Sequence, residues 1–313
     1  MGEIAAATKS EIDLSKGSRS WGGRMRAWYQ GSDGVKGYTL LSPTLVVMLF
    51  CMCVPFALMV VLSFWTQVGY DFDTTFTGKN YADVVDGPVY TQLFLRSLWI
   101  SAACTFGTII ISYPMAYYVA FHVHRRKAIW IILMTVPFWT SYLLRIFTWK
   151  VILGYNGVIN SGLIEIGLID KPLEFLLYNP TAIVITLTHA WAAFAILPIY
   201  VSLEKIDRSL LEAATDLGDG PVARFLRVTL PLSLPGVIAA TILIFIPTVG
   251  DYVTPALVGG PDGLMLANII QVHFGNINDW PMGAALSIAM MLIVGLLAFT
   301  FALITGRATR RIK

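Results

Sequence analysis

Six apolar runs, near residues 40–66, 92–121, 129–153, 181–203, 232–256 and 283–305, constrain this chain more than any other feature. Crossing the hydrocarbon core of a bilayer takes about 20 residues of helix, and each run is long enough. Inside lipid every backbone N–H and C=O must find its partner within the protein, so runs of this length are expected to be helices. The expected fold class is therefore an all-α polytopic membrane protein with six transmembrane helices. Composition agrees: 56% of the residues are hydrophobic and 13% charged, against about a quarter charged in soluble domains. Pro55, Pro114, Pro137, Pro198 and Pro247 interrupt five of the runs and are expected to bend them. Cys51, Cys53 and Cys104 all fall in apolar runs, where a thiol behaves as a small hydrophobe, so neither a disulfide nor a metal site is expected.

Basic residues set the orientation. With the N-terminus inside, cytoplasmic segments hold seventeen Lys and Arg and the opposite side or nearby span ends hold five. This predicts cytoplasmic N- and C-termini, a basic tail over 1–37 and a transmembrane domain over 38–313, with one cytoplasmic loop over 204–231. The tail lacks the apolar core of a signal peptide and is expected to be retained and mobile, or to lie on anionic headgroups through Trp21, Trp28 and Tyr29. The exterior segments are acidic, with Asp71, Asp73, Asp83 and Asp86 in the first; ordinary solvation accounts for them as readily as attraction of a cationic partner does.

The loop over 204–231 carries the most specific pattern. Leu210, Leu211, Ala213, Ala214 and Leu217 fit one side of a short helix, with Gly218 at the position of a left-handed cap. Asp219-Gly220-Pro221 then offers a cap and a first-turn proline for a second helix over Val222 to Thr229. The spacing Glu212-Ala213-Ala214, Gly218 and Val228-Thr229-Leu230-Pro231 resembles the EAA loop of type I ABC importer permeases, with Val228 where isoleucine is usual. That resemblance implies a coupling elbow seated in a groove of an ATPase subunit, through Glu212, Ala213, Ala214, Gly218, Leu230 and Pro231.

Further stretches resemble the permease subunits of spermidine/putrescine importers. They are Tyr113-Pro114-Met115-Ala116-Tyr117, Val136-Pro137-Phe138-Trp139-Thr140, Leu144-Arg145-Ile146, Pro247 to Tyr252, Gly259 to Asp262, and Asn278-Asp279-Trp280-Pro281. The resemblance implies a second, different permease chain, two ATPase subunits that bind ATP and Mg, a periplasmic substrate-binding protein, and no cofactor, metal or nucleic acid on this chain. It also implies a bacterial inner-membrane location and a polyamine cargo. Opines, amino-acid derivatives, thiamine and ferric iron are the other cargoes of permeases sharing the elbow.

Asp251 is the carboxylate inside an apolar run. An ionised Asp at mid-membrane costs roughly 2.5–3.5 kcal/mol, so it requires a partner or a wet cavity. Three readings stay open: contact with a cationic cargo, an ion pair with Arg145, and a helix-end cap. Tyr252, Trp139 and Tyr142 are the candidate ring faces for an ammonium, each worth about 0.5–2 kcal/mol. Trp139, Tyr142 and Trp191 equally fit aromatic packing, His189 fits a hydrogen-bonded core histidine, and Gly236, Gly250 and Gly295 fit close helix approach. The chain has no G-x-x-x-x-G-K-[ST] loop, H-E-x-x-H or G-x-S-x-G, so neither an ATPase nor a membrane hydrolase is expected. An ion-gradient carrier would show repeats and several intramembrane ionisable groups instead.

Overall fold

A computed structural model describes residues 33–310; most of the tail over 1–37, together with Arg311 and Lys313, lies outside the described residues. The chain divides into a unit ending at Met59 and a unit from Val60 onward. The first consists of most of α1 (Asp33–Leu62), a helix continuous through Pro43 and Pro55. It ends before the expected limit of 66, because Ser63 and Trp65 start a turn into the antiparallel pair β1 (Thr66–Val68) and β2 (Asp71–Asp73).

In the second unit, α2 (Lys79–Asp86) is followed by α3 (Pro88–Phe121), α4 (Lys127–Thr135), α5 (Tyr142–Leu153) and α6 (Val158–Glu165). Next come α7 (Pro180–Glu204), α8 (Arg208–Asp216), α9 (Pro221–Arg224), α10 (Leu230–Val249), α11 (Leu266–Val272) and α12 (Trp280–Arg310). Five helices among the described residues are long and apolar enough to cross a membrane, and the bent pair of Lys127–Trp139 with Tyr142–Glu165, counted as one broken span, makes six.

The seam of the bundle is α3 against α7 and α10. Small hydroxyl residues let α3 come close. Ser97 and Thr108 satisfy their hydroxyls on carbonyls one turn back, at 2.8 Å each, and Ser112 Oγ donates across to the Ala192 carbonyl at 3.1 Å. Tyr113 Oη meets Ser233 Oγ at 2.8 Å and joins α3 to α10. Gly236 has the close-approach role: a Cβ there would lie 2.5 Å from Ser202 Cβ on α7. A Cβ at Gly295 would meet nothing within 4 Å in this chain.

The five prolines do not all interrupt their helices. Helices run unbroken through Pro114, Pro198 and Pro247. Only Pro137 stands at a break, a 3-10 turn over Val136–Trp139, after which the span is bent by 84°. Arg145 closes the gap that the turn leaves in the backbone hydrogen bonding. Its Nη2 donates to the carbonyls of Phe138 at 3.1 Å and Thr140 at 3.2 Å, and its Nη1 to that of Ala190 on α7 at 3.1 Å. A guanidinium has enough donors to hold three acceptors at once.

Candidate coupling and translocation sites

The elbow forms as the residue pattern dictates, with one change of plan. Asp207 caps α8 by accepting from the Ser209 N–H at 3.0 Å, and this bond, with its hydroxyl partner, holds the Asp207 carboxyl below the usual range. Gly218, at φ +89°, ends the helix. The N–H of Gly218 bonds to the Thr215 carbonyl and that of Asp219 to the Ala214 carbonyl, a Schellman closure. The second arm does not stop at Pro231: α9 runs through a wider turn over Phe225–Thr229 straight into α10, so the arm is the projecting end of the fifth span. Asp219 does not cap this arm; Gly220 does, and Asp219 pairs with Arg227 at 2.6 Å instead. Arg224 Nη1 reaches Thr215 Oγ1 at 2.9 Å and clips the two arms together.

The six elbow residues separate into two groups. Glu212, Ala213 and Gly218 are exposed, alongside Leu210, Leu217 and Val222, which present apolar surface. Ala214 is buried at 7% exposure and faces this chain's own fold, so only Ala213 of the alanine pair is open to an approaching surface. Leu230 packs on the core of Tyr113, Ala116, Ile199 and Ile244, and Pro231 is half-buried beside it. Between the elbow and the end of α3 lies a cavity of about 380 Å³ lined by Tyr117, Phe121, Arg208, Glu212 and Asp216, among others. At the root of the elbow, Lys127 Nζ bonds both oxygens of Glu204 at 2.8 Å and the Ala120 carbonyl at 3.0 Å. This tie, between residues 77 positions apart, had no signal in the sequence.

Of the four candidate path residues, the fold brings two together. The α10 helix stops at Val249, so Asp251 sits in a break and not at mid-helix. It is 9% exposed. Its Oδ1 accepts from the N–H groups of Val253 at 2.9 Å and Thr254 at 3.3 Å, and its Oδ2 from the Tyr142 hydroxyl at 2.6 Å. Tyr142 Oη also lies 2.8 Å from Thr254 Oγ1. The expected alternative of an Arg145–Asp251 ion pair is not formed, because the guanidinium is committed to three carbonyls. Capping is formed, along with a phenol bond that was not foreseen. Trp139 is 82% exposed. Tyr252 lines a separate cavity of about 480 Å³ with Ile270, Gln271 and Phe274. Its carbonyl accepts from Asn268 Nδ2 at 2.7 Å.

His189 is not a core residue: its ring is exposed and its Nδ1 accepts from Trp149 Nε1 at 3.1 Å. The residues missed were Thr254, Asn268 and Lys127. For the Thr254 backbone a signal existed, since an Asp before a helix start accepts from N–H groups two or three residues on; its hydroxyl contact with Tyr142 had none.

A multi-pass helical bundle with one broken span and a helical elbow continuous with another span has the architecture of an ABC importer permease of the type I fold. Residues 39–313 match the binding-protein-dependent transport system inner membrane component family, and the chain belongs to that family. It is 36% identical over 248 residues, 79% of this chain and 90% of the relative, to the spermidine/putrescine transport system permease protein PotB of Escherichia coli (strain K12). It is 25% identical over 289 residues to the sulfoquinovosyl glycerol transport system permease protein SmoG of Agrobacterium fabrum (strain C58 / ATCC 33970), with 85% and 89% of the two chains covered. Among solved structures, a chain of a bacterial alginate ABC transporter in complex with its alginate-bound periplasmic protein superposes with a TM-score of 0.68. That match covers 94% of this chain and 98% of that one at 16% identity, which speaks to fold alone. The protein is thus a multi-pass inner-membrane permease subunit, without catalytic chemistry of its own.

Proposed function

We propose that this chain forms half of the translocation path of an ABC importer for polyamines, putrescine or spermidine, delivered by a periplasmic binding protein. The observation that carries the cargo is the 36% identity to a spermidine/putrescine permease across 79% of the chain. The stretches in which the sequence resembles such permeases include Val136 to Thr140 at the broken third span and Pro247 to Tyr252 around Asp251. In this reading a second, homologous but different permease completes the path, and two ATPase subunits, binding ATP and Mg, dock on the elbow over 204–231. Glu212, Ala213, Gly218 and the neighbouring apolar surface form the contact. Ala214, Leu230 and Pro231 hold the elbow to its own bundle.

The elbow and both termini face the cytoplasm, as the distribution of Lys and Arg argues. The division into a tail over 1–37 and a membrane domain over 38–313 stands on the same reasoning. An elbow whose second arm is continuous with the fifth span gives ATP-driven closure of the motor a direct mechanical route to the break that holds Asp251. Asp251 and Tyr142 line the cargo route, with Tyr252 and Trp139 on its approaches toward the partner permease.

The test is uptake of radiolabelled putrescine and spermidine into proteoliposomes holding both permeases, loaded with ATP and supplied with the binding protein. ATP-dependent accumulation that vanishes when the ATPase subunits are omitted is expected. Accumulation that survives their omission would overturn the coupling, and uptake of neither polyamine would overturn the cargo.

A further inference from the structure

Asp251 is a buried carboxylate that pairs with no cation among the described residues. An anion in a low-dielectric setting is costly unless its charge is met, and here it is met only by dipoles: two amide N–H groups on Oδ1 and one phenol on Oδ2. The amide donors belong to Asp251's own turn and cannot leave without unwinding it. The phenol belongs to another span. Tyr142 is the first residue of α5, directly after the 84° break, and it reaches Asp251 directly after the break at the end of α10. Its single hydroxyl therefore joins the two broken spans, and Thr254 Oγ1 at 2.8 Å gives the contact a second leg. The one strong cation of the neighbourhood, Arg145, is held one turn further along α5 by three carbonyls and does not compete for the carboxylate.

We propose that Tyr142 is an internal stand-in for cargo: its hydroxyl occupies the Asp251 oxygen that a primary ammonium takes, and cargo entry displaces it, releasing the tie between the third and fifth spans. The inference rests on the polyamine reading above and adds the discriminating step to it. A neutral hydroxyl offers the carboxylate no more than the phenol it would replace, so it does not open the tie. An ammonium brings full charge to an unneutralised anion and does. Selectivity for a cation is then set by what must be evicted, not only by what is contacted.

The experiment uses the complete transporter in nanodiscs, with ATP hydrolysis read with and without cargo-loaded binding protein, and uptake of labelled putrescine read in proteoliposomes. Tyr142→Phe keeps the ring and removes the donor. Cargo-independent ATP hydrolysis is expected to rise about tenfold, the worth of one hydrogen bond to a charged acceptor. Unchanged cargo-independent hydrolysis would overturn the proposal. So would lost uptake without that rise, which would make the hydroxyl a direct cargo ligand. If Tyr142→Phe does not assemble, Thr254→Val, which removes the second leg, is expected to raise the same rate about threefold, and no rise overturns the proposal. Asp251→Asn tests the underlying reading separately. It keeps an acceptor for Tyr142 but no charge, and putrescine uptake is expected to be lost. Normal uptake in Asp251→Asn alongside a raised rate in Tyr142→Phe would leave a structural tie but refute competition by cargo.

Discussion

Adding one methyl group at Gly236 should loosen the central seam of the bundle. Here α10 crosses α7 so closely that a Cβ would stand 2.5 Å from Ser202 Cβ and 3.1 Å from Ile199 Cα, and would overlap the Pro198 carbonyl oxygen. Carbon atoms in contact rest about 3.5–4.0 Å apart, so the helices must part by about 1 Å. None of the three obstacles can rotate aside, since two are backbone and the third is a Cβ. The cost therefore falls at the upper end of overpacking, about 3 kcal/mol, offset by about 1 kcal/mol from the better helix propensity of alanine. A net loss of about 2 kcal/mol lowers Tm by roughly 3 °C for a chain of this size. Thermal unfolding of the purified protein in detergent measures it, with Gly295→Ala as reference because a Cβ there meets nothing within 4 Å. Adding Ser202→Gly to Gly236→Ala should recover part of the loss. A Gly236→Ala protein as stable as Gly295→Ala would refute the reasoning.

Glu212→Arg reverses the charge at the exposed rim of the elbow, and ATP hydrolysis is expected to continue while polyamine uptake falls at least tenfold; a mutant with wild-type uptake would remove Glu212 from the contact. His273, between the last two spans, has Nε2 3.4 Å from Tyr90 Oη and Nδ1 4.0 Å from Asp279 Oδ2. Burial pushes its pKa below the ordinary value and the Asp279 carboxylate only partly opposes this. The neutral ring is thus favoured by folding. Its contribution is complete above the unfolded pKa of about 6.5 and is lost as pH falls through the lower folded value. His273→Gln should shrink the drop in Tm between about pH 8 and about pH 5.5; an unaltered drop would show that other groups carry it.

The sequence by itself determined the class of fold and the elbow. Apolar runs of sufficient length leave the backbone no alternative to helix in lipid, and the glycine after Leu217 and the proline after Gly220 encode a stop and a start through φ alone. Local rules also gave Asp251 a capping reading, because a cap is a contact between neighbours in the chain. Only the tertiary structure decided which proline breaks its span, since that depends on whether a donor group is held where the break leaves carbonyls open. At Pro137 the group is Arg145, with Ala190 of another span as its third anchor. It also decided that Asp251 meets Tyr142, 109 residues away, rather than Arg145, and that Lys127 ties to Glu204. Those choices turn on where bent helices bring their side chains, a geometry set by packing across the bundle and by one 84° bend, neither of which leaves a periodic mark in the sequence.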